Sequence, residues 1–151
     1  MTEKIRKDIT NALPKEATYL GEFLFLMPDT IWEGKYNGQS FVAVAEDRWS
    51  DSSGMFLAVA EDGSVYKGDL ADQRLFQYCA ASFSQFMEIM SAYHAVLETH
   101  QSPDVWDEEG LQQCEEEEKL LRETITRIDS SALRDDGTFW SVWVEEIGYG
   151  F

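Results

Sequence analysis

The protein has 151 residues, of which 44% are hydrophobic and five are tryptophan. A chain of this length fits one domain, residues 1–151, that buries roughly 68–70% of its unfolded surface, and its apolar content excludes an intrinsically disordered protein. The formal net charge of −17 argues against direct binding to nucleic acid or to an anionic membrane, because both need clustered lysine and arginine. Such a charge serves either solubility or rapid association with a basic partner.

The amino-terminal residues 1–12 intersperse charged side chains with Ile5 and Ile9. This segment lacks the apolar region of a signal peptide. No stretch of the sequence stays apolar over the length of a transmembrane helix. We therefore expect a cytoplasmic protein that makes no contact with a membrane.

The first half of the chain predicts one helix followed by antiparallel strands. Thr2–Asn11 is predicted helical, and Leu13-Pro14 ends the helix because the residue before proline avoids the helical region. The apolar run Phe23–Met27 predicts a buried strand. Asn37-Gly38 and Asp62-Gly63 supply the positive φ angles that two-residue hairpin turns require. The two predicted hairpins pair Ile31–Tyr36 with Phe41–Ala45, and Met55–Ala60 with Ser64–Lys67.

The second half of the chain predicts three helices. Ser82 and Gln85 have capping-box spacing at the start of the first helix. The second runs from about Glu108 to Ile128, and the last starts near Asp136 and ends at Gly148. Because strands come first and helices follow, the sequence predicts an α+β fold: an antiparallel meander of about four to five strands with helices packed against it.

Motifs of catalysis are missing from the sequence. It contains no phosphate-binding glycine loop, no paired-cysteine zinc signature, no His-Glu-x-x-His and no nucleophile elbow. The two histidines, His94 and His100, do not share a helical face, and we interpret them as a partly buried structural residue and a helix-end residue. The sequence therefore predicts a protein that is not an enzyme, with no catalytic residue, no metal site and no cofactor.

Both cysteines have structural interpretations as well. Cys79 lies in an apolar stretch and is predicted to be a small buried side chain. Cys114 precedes the acidic run Glu115–Glu118, which should raise the pKa of its thiol and make it a poor nucleophile. We interpret that run as a solvated helix surface rather than as a metal site.

Two tryptophans lie in predicted loops beside acidic residues. Trp49 belongs to the polar segment Glu46–Gly54, and Trp106 to the linker between the first two predicted helices of the second half. An exposed aromatic side chain with an acidic rim is typical of a binding hot spot for a basic protein. The alternative is that each tryptophan folds back to cover the edge of the core. The candidate partner-binding residues are Glu33, Asp47, Trp49, Asp51, Asp104, Trp106, Asp107, Glu108 and Glu109.

Three segments are similar to a known family. The first two segments are GMFLAVAEDGSVYKGD and YCAASFSQFMEIMSAYHAV. The matching positions in them are Asp62, Gly63, Val65, Tyr66, Ser82 and Phe86. RIDSSALRDDGTFWSVWVEEIGYG contains Ile128, Asp129, Ala132, Leu133, Trp140, Glu145, Glu146 and Gly148. In this order they resemble the immunity proteins of the SUKH superfamily (the SMI1/KNR4 group), most of all its SUKH-4 group. Residues 32–53 have no counterpart in that pattern, and the acidic linker around Trp106 is longer than the pattern predicts.

The resemblance implies a bacterial immunity protein that binds and neutralises the carboxy-terminal domain of a cognate polymorphic toxin. Many such toxins are nucleases or nucleic-acid deaminases, whose active sites must be basic to hold phosphate. An acidic inhibitor suits such a target. Two alternatives stay open: an acidic nucleic-acid mimic, and a regulatory adaptor that binds a basic protein. The oligomeric state is also left open.

Overall fold

A computed structural model describes residues 1–47 and 54–151. The chain divides into two compact units, Met1–Met87 and Glu88–Phe151. The elements in chain order are α1 (Glu3–Ala12), β1 (Thr18–Leu20), β2 (Phe23–Phe25), β3 (Trp32–Tyr36), β4 (Gln39–Asp47), β5 (Met55–Ala60), β6 (Val65–Asp69), β7 (Arg74–Ala80), α2 (Phe83–Thr99), α3 (Glu108–Ile128) and α4 (Phe139–Gly148). The predicted α+β class is confirmed.

One antiparallel sheet contains all the strands of the described residues, in the order β1-β2-β4-β5-β6-β7. Strand β4 is long enough to pair with two strands along the same edge. Its first residues, Gln39–Ala43, pair with β3, and its last, Ala45–Asp47, pair with β2. This arrangement explains why β3 lies off the main path of the sheet.

Over residues 1–47 and 54–151 the sheet has seven strands, where the sequence predicted four or five. The two additional strands are β1 and β7. β1 has only three residues, too few for an alternating pattern to show. β7 pairs with β6 through two register shifts, which disturb the alternation of buried and exposed positions.

One of the two predicted hairpin turns is confirmed, and the other is corrected. Asn37 and Gly38 have φ of 52° and 79°, so the two-residue turn predicted between β3 and β4 is confirmed. The second turn has three residues, because Gly63 N–H donates to Ala60 O and Ala60 N–H donates to Ser64 O. Gly63 alone takes a positive φ there, 91°. This is the three-residue type with a left-handed third residue, in which Asp62 needs no positive φ.

The predicted loop Glu46–Gly54 is wrong at its start, because Glu46 and Asp47 belong to β4. Glu46 pairs with Leu24 of β2 and with Phe56 of β5, and Asp47 pairs with Phe23. Ladder hydrogen bonds on both sides outweigh the low strand propensity of acidic residues. The rest of that segment up to residue 53 lies outside the described residues.

The first unit has its core on the central strands. Phe41, Ala43, Phe56 and Ala58 form one buried cluster, with four partly buried side chains packed against it: Trp32, Tyr36, Leu70 and Leu75. Val42, Val44, Leu57 and Val59, which alternate with these residues along β4 and β5, are also buried. Because alternate residues point to opposite faces of a sheet, β4 and β5 are covered on both faces.

Helix α1 and the start of α2 follow the predicted pattern. Thr2 caps α1, and the helix ends before Pro14. Ser82 Oγ accepts a hydrogen bond from Gln85 N–H at 3.3 Å and donates to Gln85 Oε1 at 2.8 Å, which confirms the capping role predicted for this pair. Phe83 and Phe86 at the start of α2 pack on the ring of Phe25, with centroid distances of 6.3 and 6.5 Å.

The second unit is organised around α3 and α4. Helix α3 has the predicted bounds, whereas α4 begins at Phe139 rather than near Asp136, because the side chain of Thr138 caps it by accepting from Ser141 N–H. Aromatic rings fill the core: the centroids of Phe139, Trp140 and Trp143 lie 4.4 to 5.6 Å apart. The Tyr93 ring lies 5.7 and 5.1 Å from those of Trp140 and Trp143. Among the helices of residues 1–47 and 54–151, none combines the length and apolar character needed to cross a bilayer.

Candidate functional site

Trp106 is almost completely exposed, at 87% of its surface, and its neighbour Val105 is exposed at 75%. Hydrogen bonds of Asp104 shape this turn: its Oδ1 accepts from Trp106 N–H at 3.3 Å, and its carbonyl accepts from Asp107 N–H at 2.9 Å. The folding-back alternative is therefore wrong for Trp106. A tight turn presents the indole to solvent instead of covering the core.

Acidic residues flank Trp106 along the chain. Asp104, Asp107, Glu108 and Glu109 are all exposed, and Asp107 also caps α3 by accepting from Gly110 N–H at 3.0 Å. Glu108 and Glu109 lie in the first turn of α3, where negative charge is favourable beside the helix dipole. We call the six consecutive residues from Asp104 to Glu109 the Trp106 surface.

An open groove of about 760 Å³ adjoins the Trp106 surface within the second unit. Asp104 and Asp107 belong both to its lining and to that surface. The other lining residues come from the end of α2, the linker and α3: Ala95, Val96, Thr99, Gln101, Ser102, Pro103, Gly110, Gln113, Glu117 and Leu120. This unit therefore offers both a projecting aromatic side chain and a recess beside it.

Two of the remaining predicted partner-binding residues, Glu33 and Asp47, belong to the first unit. Glu33, in the middle of β3, forms an ion pair with Arg6 at 3.0 Å. Asp47, at the end of β4, is partly buried. Glu33 pairs with Val42, five positions before Asp47 along β4, so about 16 Å separates the two acids. Trp49 and Asp51 lie outside the described residues.

A second cluster was missed by the sequence prediction. His100, directly after α2, and Cys114 and Glu117 of α3 hold their ligand-type atoms within 4.8 Å of one another. His100 Nδ1 lies 3.3 Å from Glu117 Oε1, and His100 Nε2 lies 3.0 Å from the main-chain oxygen of Phe151. The i, i+3 spacing of Cys114 and Glu117 places both on one helix face. This spacing was the feature of the sequence that could have indicated the cluster.

The surroundings of Cys114 are buried and acidic. The residue is 1% exposed, and the side chains of His100 and Glu117 are 6% and 15% exposed. Burial, followed by the charges of Glu117 and Asp107, raises the pKa of the Cys114 thiol. The direction predicted from the acidic run is confirmed. The prediction that the acidic run is solvated is confirmed for Glu115 and Glu116, which are exposed. It is wrong for Glu117 and Glu118, which are partly buried.

The family assignment rests on a match across both units. A family model described as SUKH-4 immunity protein matches residues 12–146. The chain belongs to the SUKH-4 immunity protein family. Searches of curated proteins and of solved structures found no match. Family membership supports an immunity function for this protein, and it confirms the resemblance carried by the three sequence segments.

The matched range of this SUKH-4 protein includes the Trp106 surface and the residues His100, Cys114 and Glu117. Cys79 is fully buried in β7, as predicted, and burial raises the pKa of its thiol. His94 is partly buried, as predicted, and its ring contacts Tyr93 at a centroid distance of 6.4 Å. Neither residue lines the groove beside the Trp106 surface.

Proposed function

We propose that this SUKH-4 protein is a non-enzymatic immunity protein that neutralises a cognate toxin domain by tight, direct binding through the Trp106 surface. The observation that carries the proposal is the exposure of Trp106 within a family of immunity proteins. We take residues 1–151 to act as one functional domain, which the family match across both units supports, and we propose that it acts in the cytoplasm. We propose that neutralisation requires no cofactor.

Trp106 has the properties of a binding anchor. A tryptophan buries roughly 150–250 Å² when a partner covers it, and truncation of such an anchor costs about 2 kcal/mol or more of binding free energy. Val105 would extend the apolar contact, and the turn held by Asp104 fixes the backbone that presents both side chains. A preorganised turn lowers the entropic cost of binding.

The charge around this anchor favours a basic partner. Between Arg74 and Lys119 the sequence has no lysine or arginine, but it has ten aspartates and glutamates. The Trp106 surface lies within this stretch. A nuclease or nucleic-acid deaminase presents basic groups that hold phosphate, so the carboxylates would accelerate its encounter with the immunity protein. We therefore propose a toxin of one of these two classes, with Glu33 and the segment around Trp49 as secondary contacts.

The second candidate function is that of an acidic nucleic-acid mimic, which the net charge of −17 favours. A mimic relies on its distributed negative charge and would bind several unrelated basic proteins. A cognate immunity protein ignores them and depends on a shaped contact. The role of Trp106 separates the two, because its removal leaves the charge unchanged.

The decisive experiment uses the full-length protein and the toxin carboxy-terminal domain encoded beside it. Binding is measured by titration and neutralisation by survival of cells that express the toxin domain. We expect Trp106→Ala to weaken binding about 30-fold or more, the equivalent of about 2 kcal/mol. Phe76→Ala is the matched control, because it removes an exposed aromatic ring of the first unit. Equal binding by the two variants would remove the Trp106 surface from the proposal.

Two further outcomes test the wider proposal. Association with the toxin domain should slow as added salt shortens the Debye length from about 10 Å to about 3 Å. A rate that stays constant over this range contradicts electrostatic steering. The contrary outcome is a protein that leaves the toxin active and binds several unrelated basic nucleases, with the Trp106→Ala variant binding them equally well. That outcome would replace the proposed immunity function with that of a nucleic-acid mimic.

A further inference from the structure

We infer that His100, Cys114 and Glu117 form a binding site for one zinc ion in the second unit. Their three ligand-type atoms lie within 4.8 Å of one another. An imidazole nitrogen, a thiolate sulfur and a carboxylate oxygen are the three ligand types that proteins use for zinc. Three protein ligands leave one tetrahedral position for water or for a group of a partner. This inference is independent of the proposed function.

The distances suit a metal after a small contraction. Zinc lies about 2.0–2.3 Å from nitrogen, oxygen and sulfur ligands, so tetrahedral ligand atoms are separated by roughly 3.5 Å. His100 Nδ1 and Glu117 Oε1 already lie 3.3 Å apart. Cys114 Sγ lies within 4.8 Å of both atoms and donates to the carbonyl oxygen of Gln101 at 3.9 Å. A contraction of roughly 1 Å would bring it to the separation expected of zinc ligands.

The orientation of His100 is the usual one for a zinc ligand. A metal-binding histidine typically donates its second ring N–H to a main-chain oxygen or a carboxylate, which fixes the tautomer and the ring plane. His100 Nε2 has such an acceptor, the main-chain oxygen of Phe151 at 3.0 Å. Donation from Nε2 leaves the Nδ1 lone pair directed toward Glu117 and available to an ion.

The competing arrangement is a metal-free cluster in which the two ring nitrogens of His100 contact Glu117 Oε1 and the main-chain oxygen of Phe151. It accounts for both hydrogen bonds but leaves Cys114 as a neutral thiol beside two carboxylates, those of Glu117 and Asp107. A zinc ion replaces the proton of the thiol, and its charge of +2 balances the thiolate and the Glu117 carboxylate.

The open groove reaches the site at Glu117. Glu117 lines the groove together with Asp107 and Gln101, so an ion can enter past carboxylate oxygens. Zinc there would join the end of α2 to α3, the two helices on either side of the Trp106 turn. We therefore expect zinc to stabilise the linker between them.

The test begins with metal-free full-length protein titrated with zinc in competition with a chromophoric chelator. We expect one tightly bound ion per chain. Cys114→Ser and His100→Ala should each weaken binding about 100-fold, at least as much as loss of a supporting residue does. Glu116→Gln is the matched control, because it removes an exposed carboxylate from the same helix and should leave the affinity unchanged. Equal effects of Glu116→Gln and Cys114→Ser would mean adventitious binding to surface acids and would overturn the inference.

A spectroscopic readout makes the test independent of how well the ligand variants fold. Cobalt(II) substituted for zinc gives a sulfur-to-metal charge-transfer band only when a thiolate is bound. The Cys79→Ala protein keeps Cys114 as its one thiol, so the band in this variant identifies Cys114 as the ligand. A protein that binds cobalt without this band, or that binds neither metal, refutes the site.

Discussion

Phe41 faces Gly34 across strands β3 and β4, and its ring occupies the space that a side chain at position 34 would need. The same relationship recurs between Phe56 and Gly68 on β5 and β6. The two phenylalanine rings stack on each other at a centroid distance of 5.4 Å. Each ring lies over a glycine of the adjacent strand, and the pair forms the centre of the buried cluster on this face of the sheet.

We expect Gly34→Ala to lower the free energy of unfolding by about 1–3 kcal/mol, because the new methyl group must displace the Phe41 ring from a packed core. Lys35→Ala, which changes an exposed residue on the same strand, should alter it by no more than about 0.5 kcal/mol. Chemical denaturation of both variants measures the difference. Equal stabilities would contradict the packing of Phe41 on Gly34.

Asp107 has a structural role as well as the proposed binding role, since it caps α3. We expect Asp107→Ala to destabilise the protein by about 1 kcal/mol, whereas Asp107→Asn keeps an acceptor for Gly110 N–H and should be nearly neutral. Thermal unfolding measures this contrast. Once the fold is shown to be intact, the effect of Asp107→Asn on toxin affinity reports the contribution of the charge. Equal stability of the two variants would disprove the cap.

Thr138 is a buried cap whose hydroxyl donates to Ala132 O at 2.7 Å and accepts from Ser141 N–H at 3.4 Å. We expect Thr138→Ala to cost about 1–3 kcal/mol of stability, because it removes the cap and leaves the Ala132 carbonyl without this donor. Thr138→Ser should restore most of the loss. Denaturation midpoints test both, and a serine variant as unstable as the alanine variant would assign the effect to the methyl group.

Zinc affinity should rise with pH. The pKa of the Cys114 thiol is raised by burial and by the carboxylates of Glu117 and Asp107, so the thiol is protonated near neutrality and zinc must displace its proton. Linkage then gives about a tenfold gain in affinity per pH unit below that pKa. Chelator competition at about pH 7 and about pH 8 measures the slope. A flat profile would exclude a thiolate ligand.

The sequence determined the features that depend on neighbouring residues. Asn37-Gly38 specified a two-residue turn because both residues accept positive φ. Ser82 and Gln85 marked the start of α2 through a local capping pair, and α3 has the bounds that its pattern predicts. The α+β class and the family resemblance followed from the order of such elements, and the match over residues 12–146 confirms the latter.

Tertiary structure decided what depends on residues far apart in sequence. Strand pairing drew Glu46 and Asp47 into β4 despite their polarity. The close approach of His100 to Cys114 and Glu117 needed the folded arrangement of α2 and α3. Local patterns report turns, caps and helix faces, because these form within a few residues. Which side chains meet across the core is decided by packing, as is whether a loop tryptophan is covered or exposed.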